Sequence, residues 1–283
     1  VRQVRAHGLA WHVGGAVNGI RRATQGTVLD SLPFDEGFTE VRFLPRAGVQ
    51  LPVGHRVQLF AEWGTGVSIP TTFELVEPNS LEAYNLKSEW GQALEAGAMW
   101  QRGPMAAQFS AFRQRVDDAI SLTPGANDAP IMANADVLNM TGMEAVFSGV
   151  AGNWRFRGWA SLSRFEVQSM AWAEPFKMPG TPLHAAGGTA VYERGRWALE
   201  GRWRWNDRSP LNNAATDWSP AFHRVDGSVR YRFEAWTVRA SLFNATNSRY
   251  SDWYQVNAFG GKYHNPVAPR QWELSVRWTG LTR

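Results

Sequence analysis

Tryptophan and arginine take turns between Arg196 and Trp205. Trp197, Leu199, Gly201, Trp203 and Trp205 alternate with Arg196, Glu200, Arg202 and Arg204. Side chains repeat every two residues along a strand, so such a segment has one greasy face and one charged face. The greasy face has to meet either a protein core or lipid. The same period recurs over Gly8–Ile20, Glu40–Leu51, Arg56–Trp63, Glu89–Gln101, Met105–Val116, Val137–Gly149, Trp154–Leu162, His184–Tyr192, Val225–Phe233, Ala235–Phe243 and Gln271–Trp278. With Arg196–Trp205 these make about twelve strands, and no stretch shows a helical period.

The connections decide between core and lipid, because they alternate in length. Tight turns are expected at Pro52-Val53-Gly54, Arg102-Gly103-Pro104, Ala151-Gly152-Asn153, Arg194-Gly195 and Glu234. Between them lie polar segments near Arg21–Phe38, Thr65–Lys87, Ala119–Asp136, Glu166–Leu183, Asp207–Ala221 and Asn247–Pro269, read as loops. A soluble domain seldom carries so many long loops. An outer-membrane barrel does, with short turns on one side and long loops on the other. The expected fold is therefore all-β, an antiparallel transmembrane β-barrel. The competing reading is a soluble, tryptophan-rich β-sandwich, whose strands are normally joined by shorter turns.

Composition closes several other routes. No apolar run approaches the ~20 residues of a spanning helix. The absence of cysteine removes disulfides and thiolate sites, and a net charge of +4 is too small to argue for nucleic acid. His7, His12, His55, His184, His223 and His264 are scattered with no metal-ligand spacing, and neither a Gly-x-Ser-x-Gly elbow nor a phosphate-binding glycine loop is present. No enzyme activity, metal or cofactor is expected. Asp117-Asp118 reads as a strand end, and Gly14-Gly15, Gly187-Gly188 and Gly260-Gly261 as kinks or loop tips.

The outlier is fifteen tryptophans. Trp90 and Trp100, Trp197 and Trp205, and Trp272 and Trp278 bracket apolar faces, as expected of residues at the membrane interface, where the indole ring is buried and its N–H stays wet. By the same alternation Arg155, Arg157, Arg202, Arg204, Arg230, Arg232 and Arg239 form a basic wall facing the lumen. Singly, each is expected to be solvated or paired with a carboxylate such as Glu200 or Glu273; as a group they suit an anionic solute or a plugging domain. Trp172, Trp218, Arg249, Trp253, Tyr254, Phe259, Lys262, Tyr263 and His264 place aromatic rings and cations in the loops, a candidate ligand surface. They could equally pack the loops together.

Four segments resemble the C-terminal half of the TonB-dependent outer-membrane receptors. Gly66-Val67-Ser68-Ile69-Pro70-Thr71-Thr72-Phe73-Glu74-Leu75 is similar to the family's Gly-Phe-Arg-Ala-Pro-Thr-x-x-Glu-Leu loop, with Val67 in place of an aromatic. Asn85-Leu86-Lys87-Ser88-Glu89 resembles its Asn-Leu-Lys-Pro-Glu, with serine for proline. Asn139 with Gly142-Met143-Glu144 resembles a later Asn…Gly-x-Glu. Leu242-Phe243-Asn244-Ala245-Thr246-Asn247 with Tyr250, then Pro269-Arg270, resembles the approach to the closing strand. The likeness covers roughly Glu40 to Gly280. The usual terminal aromatic is replaced by Thr279-Gly280-Leu281-Thr282-Arg283 after Trp278.

The resemblance implies that residues 1–283 are one incomplete β-barrel domain without a plug, the C-terminal portion of a 22-stranded barrel in the outer membrane of a Gram-negative bacterium. It implies uptake of a scarce nutrient, a small-molecule chelate such as a ferric siderophore or a vitamin. Energy would come from the TonB complex through a plug absent from the chain. Outer-membrane lipid is the other expected partner. A self-contained twelve-stranded pore or membrane-embedded hydrolase stays open as an alternative, since an even strand count can close on itself.

Overall fold

A computed structural model describes residues 2–6, 8–28, 32–71, 74, 86–124, 130–169, 174–256 and 261–280; side chains are described for 8–21, 39–71, 74, 86–121, 131–169, 174–254 and 261–280. The chain runs through β1 (Arg2–Ala6), β2 (Leu9–Val28), β3 (Leu32–Val53), β4 (Val57–Ser68), β5 (Glu89–Arg102), β6 (Met105–Pro124), β7 (Pro130–Ala151) and β8 (Trp154–Ser169). It continues through β9 (Phe176–Lys177), β10 (His184–Arg194), β11 (Trp197–Asn206), β12 (Phe222–Phe233), β13 (Trp236–Phe243), β14 (Ser251–Val256), β15 (Lys262–Pro266) and β16 (Gln271–Trp278). Each strand pairs antiparallel with the next in one sheet, from β1 to β13 and then β16, with β9 on the flank of β8; β14 and β15 form a separate hairpin.

All twelve expected strands are present, and β1, β9, β14 and β15 are additional. Two of the expected loops are largely paired strand. β2 and β3 stay in register up to Val28↔Leu32, and β6 and β7 stay paired, across a bulge, up to Pro124↔Pro130. The period of two fades there in the sequence, while the backbone ladder continues. Asp117-Asp118 is not a strand end either. The register of β6 against β7 shifts just after Val116, and Asp118 has φ 56°, the signature of a bulge. The Asn134 amide donates to the Asp118 carbonyl at 2.7 Å and to that of Lys87 at 2.9 Å, which pins the bulge to the entry of β5.

Four of the five expected tight turns share one geometry, while the first is a three-residue loop, Gly54-His55-Arg56. Gly103, Gly152 and Gly195 have φ near +60° as the first of two loop residues, the pattern of II′ hairpins. Glu234 takes the same place at φ 48°, without the freedom of glycine.

Register makes the two faces continuous. Trp278↔Trp236, Val276↔Val238 and Leu274↔Ala240 carry the apolar face from β16 to β13. Tyr231↔Val238, Trp197↔Tyr231 and Leu199↔Val229 carry it onward. These side chains are open: Trp272 is 75% exposed, Leu274 72% and Val17 72%. Among the described residues the buried hydrophobics are Leu86, Ala119, Val167, Ala198 and Tyr250. That set cannot be the core of a soluble sandwich, so the apolar face is made for lipid.

On the polar face, glycines make room for large neighbours in the facing strand. Phe60 lies across Gly97 and Phe112 across Gly142; a Cβ would stand 2.8 Å and 2.7 Å from those rings. It would also stand 2.2 Å from the Phe109 carbonyl at Gly97, where backbone cannot yield. Between His12 and Glu62 the intervening residue is Gly48, and the two side chains meet above it at 3.1 Å.

The last long loop is held at both ends by Asn244, which is 1% exposed. Its amide donates to the carbonyls of Ser248 (3.0 Å) and Ala268 (3.2 Å), and its Oδ1 accepts from the Ser248 N–H (2.9 Å). Asn247 Oδ1 accepts from the N–H of Arg270 at 3.0 Å.

Three substitutions test this packing. Gly97→Val should destabilise the folded barrel by about 1–3 kcal/mol through overpacking, whereas Gly201→Ala, with nothing within 4 Å, should be neutral; urea titration in lipid vesicles reads both. Asn244→Ala should cost about 2–4 kcal/mol, from lost and unsatisfied buried hydrogen bonds. It should also open the 248–269 segment to limited proteolysis while the strands stay resistant.

Candidate functional site

The polar face from β8 to β13 carries the seven expected arginines and adds Arg224. In register across the strands stand Arg157, Thr189, Arg202 and Asp226; the adjacent row is Trp159, Gly187, Arg204 and Arg224. All of these except Gly187 line an open hollow of about 570 Å³, closed on the loop side by Tyr250 and Asp252.

Most of the positive charge is already answered. Arg155 and Arg230 share Glu193 at 2.7 and 2.6 Å, and Arg202 and Arg239 share Glu200 at 2.5 and 2.9 Å. The bridges of Arg230 to Glu193 and of Arg239 to Glu200 each reach across an intervening strand and tie the wall sideways. Arg224 donates to Asp226 (2.9 Å) and approaches the Tyr250 hydroxyl (3.4 Å). Asp226 in turn accepts the N–H of Asn244 at 2.7 Å, which joins the wall to the loop clamp. Arg204 donates to the Asn206 amide oxygen at 3.0 Å and sits 5.7 Å from the centre of Phe222. Among the described residues, neither Arg157 nor Arg232 has a carboxylate partner. Only Arg157 of the two lines the hollow.

A second hollow of about 440 Å³ continues toward the loops, sharing Arg204 and Asp252 with the first. Trp253 and Tyr254 line it, with Phe222 and Asp207. Tyr250 stacks on Phe222 with ring centres 3.7 Å apart, forming the partition between the two hollows. On the mouth side, the His184 ring nitrogen lies 3.0 Å from Asp207 Oδ2, and Asp207 Oδ1 accepts the Arg208 N–H at 2.8 Å. The bond with His184 holds the Asp207 carboxyl below its ordinary value, outweighing the burial that pushes it up.

The expected loop surface is divided by the structure. Trp253 and Tyr254 reach the second hollow, and His264 lies behind Tyr254 at 6.2 Å between rings. Trp218 sits elsewhere, between the Arg208 guanidinium at 4.8 Å and the Lys177 ammonium at 5.7 Å. Lys262 pairs with Asp217, linking the hairpin to the neighbouring loop. Arg249 and Tyr263 do not line either hollow; Trp172 and Phe259 lie outside the described residues.

The six bracketing tryptophans share the apolar face by register. Trp197 and Trp278 join a turn-side ladder of rings, Trp154–Tyr192 at 4.9 Å, Trp197–Tyr231 at 4.5 Å and Trp236–Trp278 at 6.4 Å. Trp205 lies between His184 and His223 at 6.2 and 6.1 Å, and Trp90 carries the guanidinium of Arg42 at 5.8 Å.

Sequence reading missed Trp159, Tyr250, Phe222, Arg224 and Asp252 as site residues. For Trp159 the signal was present: it is out of phase with Trp154, Phe156, Ala160 and Leu162, so an indole falls among the arginines. The meeting of Tyr250 with Phe222 is a loop-to-strand contact with no periodic trace.

A family profile described as TonB dependent receptor-like, beta-barrel matches residues 9–245. None of the curated proteins matches in sequence. Solved structures do match in fold. The siderophore receptor PiuA from Acinetobacter baumannii aligns with a TM-score of 0.79 at 14% identity, over 95% of this chain and 40% of that one. The ferric-catecholate import receptor Fiu from K12 E. coli gives 0.74 at 14%, over 96% and 42%. The copper transporter OprC gives 0.77 at 17%, over 96% and 45%. The chain thus spans about two fifths of the length of PiuA and Fiu. Fold, register and profile agree: this chain belongs to the TonB-dependent receptor-like β-barrel family.

Proposed function

We propose that the chain is wall and loop of an outer-membrane receptor of a Gram-negative bacterium, which takes up a scarce metal chelate with energy from the TonB complex. The observation that carries this reading is the continuity of the two hollows. Trp253 and Tyr254 offer aromatic surface at loop level, and Arg204 and Asp252 lead from there to the guanidiniums of the wall. An anionic chelate could be met by stacking first and by charge deeper in. The work is binding and passage, with no covalent step. PiuA and Fiu, described as a siderophore receptor and a ferric-catecholate importer, support iron chelates as the cargo class. OprC, described as a copper transporter, shows that the fold alone does not choose the metal.

In this reading the apolar face meets lipid, the six bracketing tryptophans mark its two boundaries, and the basic wall lines the lumen. Ten residues at ~3.3 Å, tilted by ~40°, span roughly 25 Å, the height of the apolar band of such barrels. Coupling to TonB would run through a plug domain from elsewhere in the receptor.

The mouth of the groove should be acid-sensitive. Because the Asp207 carboxyl is lowered in the folded state, its contribution is fully present above the unfolded value of about 3.9. It is lost as pH falls through the lower folded value. Protease protection of the 207–221 loop should therefore hold from pH 7 to about 5 and fail below about 4; Asp207→Asn should remove that dependence. For transport, Trp253→Ala with Tyr254→Ala in the full receptor should cut TonB-dependent uptake of a labelled ferric chelate at least about tenfold. Uptake that persists without TonB, or that ignores the pair, would contradict the receptor reading.

A further inference from the structure

We propose that the loop-side edge of the apolar face, where β6, β7 and β8 run together, binds the phosphate monoester of a lipid headgroup. The site rests on the apolar face meeting lipid, and it goes beyond the uptake reading because it lies on the outside of the wall. Register carries it. Ala111, Met143 and Leu162 form one row across the three strands, and Arg113, Thr141 and Arg164 form the next. Arg115, Asn139, Glu166 and Lys177 follow, with Lys177 on β9. Residues opposite each other in a ladder share a face. Arg113 also stands opposite Leu94 of β5, which is 51% exposed, so these cations leave the sheet on its apolar side. Within two residues along β6 and β8 that side changes from hydrocarbon to guanidinium, as it must where acyl chains give way to headgroups.

The charge there is only partly answered. Asp117 holds Arg115 at 2.7 Å, and Glu166 holds one nitrogen of Arg164 at 2.5 Å. Among the described residues, neither Arg113 nor the Thr141 hydroxyl has a side-chain partner, and Lys177 meets the Trp218 ring at 5.7 Å but no carboxylate. The feature is local. From β10 to β13 the same edge carries His184, Trp205, His223 and Leu242, with no guanidinium. Arg113 and Arg164 arise two strand spacings apart, about 10 Å, with Thr141 between them. Three donor groups on neighbouring strands suit three terminal oxygens. A monoester offers these and carries about −1.5 to −2 charge at pH 7, whereas a diester offers two oxygens and one charge. The acyl chains of such a lipid would run along Ala111, Met143 and Leu162.

The test uses the full receptor in detergent micelles, with phosphatidic acid, phosphatidylglycerol and phosphatidylcholine of matched acyl chains, read by native mass spectrometry. Phosphatidic acid, the monoester, should bind about tenfold more tightly than phosphatidylcholine and about threefold more tightly than phosphatidylglycerol. Arg113→Gln should weaken phosphatidic acid about three- to tenfold. Arg277→Gln removes the same charge from the polar face of β16 and should change nothing. Millimolar inorganic phosphate should leave the lipid in place, because the acyl chains share in the binding. Heat-modifiable migration on gels confirms that each variant is folded. Equal binding of the three lipids, indifference to Arg113→Gln, an equal loss with Arg277→Gln, or displacement by inorganic phosphate overturns the site. The two readings also fail separately. Absent lipid preference with intact TonB-driven chelate uptake overturns this site alone, and a lipid preference with TonB-independent uptake overturns the receptor reading alone.

Discussion

In hydrocarbon no water is available to an open N–H or C=O, and each one left unpaired costs several kcal/mol. Everything else in this chain follows from that constraint. The strands must pair in an unbroken ladder, and they do so from β1 to β16 with adjacent strands joined in sequence apart from the β9 and β14–β15 detours. Once the ladder is fixed, alternation sends every second side chain to lipid and the others to the polar face. A one-residue slip would exchange Trp197 for Arg196, so the register is under strong control. The bridges of Glu193 and Glu200, each joining two arginines, reinforce it from the polar side.

The strands were legible because the two faces differ so sharply in solvent. Trp272, Leu274, Val276 and Trp278 announce β16 with no help from propensity. The tight turns were legible for a different reason. Gly103, Gly152 and Gly195 supply the positive φ that a II′ hairpin needs, and glycine beside a strand end is visible in the sequence. Beyond the apolar band the signal vanished. The far parts of β2, β3, β6 and β7 pair as strand without a period of two in the sequence, so they read as loop. The β14–β15 hairpin was hidden in the same way.

The candidate site was half legible. Alternation placed the arginines on one face, but it carried no information on which were already neutralised. That depends on Glu193 and Glu200, whose partners lie as far as two strands away. The aromatic lining came from two kinds of position that composition blurs together. Trp253 and Tyr254 were found as loop aromatics, while Trp159 hid among the membrane-facing tryptophans until its phase was checked. The family motifs turn out to be clamps. Thr71 and Glu74 bond reciprocally, the Thr N–H donating to the carboxylate at 2.6 Å and the Glu N–H to the Thr oxygen at 3.3 Å, as in a capping box. Asn244 and Asn247 fasten both ends of the last loop.

The claim on which the rest stands is that the apolar face of this sheet meets lipid and the polar face does not. The chain has no cysteine, so single reporters can be placed without removing any. Cysteine introduced in turn at Leu274, Ser275, Val276 and Arg277, labelled with a fluorophore and reconstituted with lipids brominated on their chains, gives the direct readout. The account predicts strong quenching at Leu274 and Val276 and weak quenching at Ser275 and Arg277. Quenching that fails to alternate along β16, or that follows the opposite phase, would contradict it.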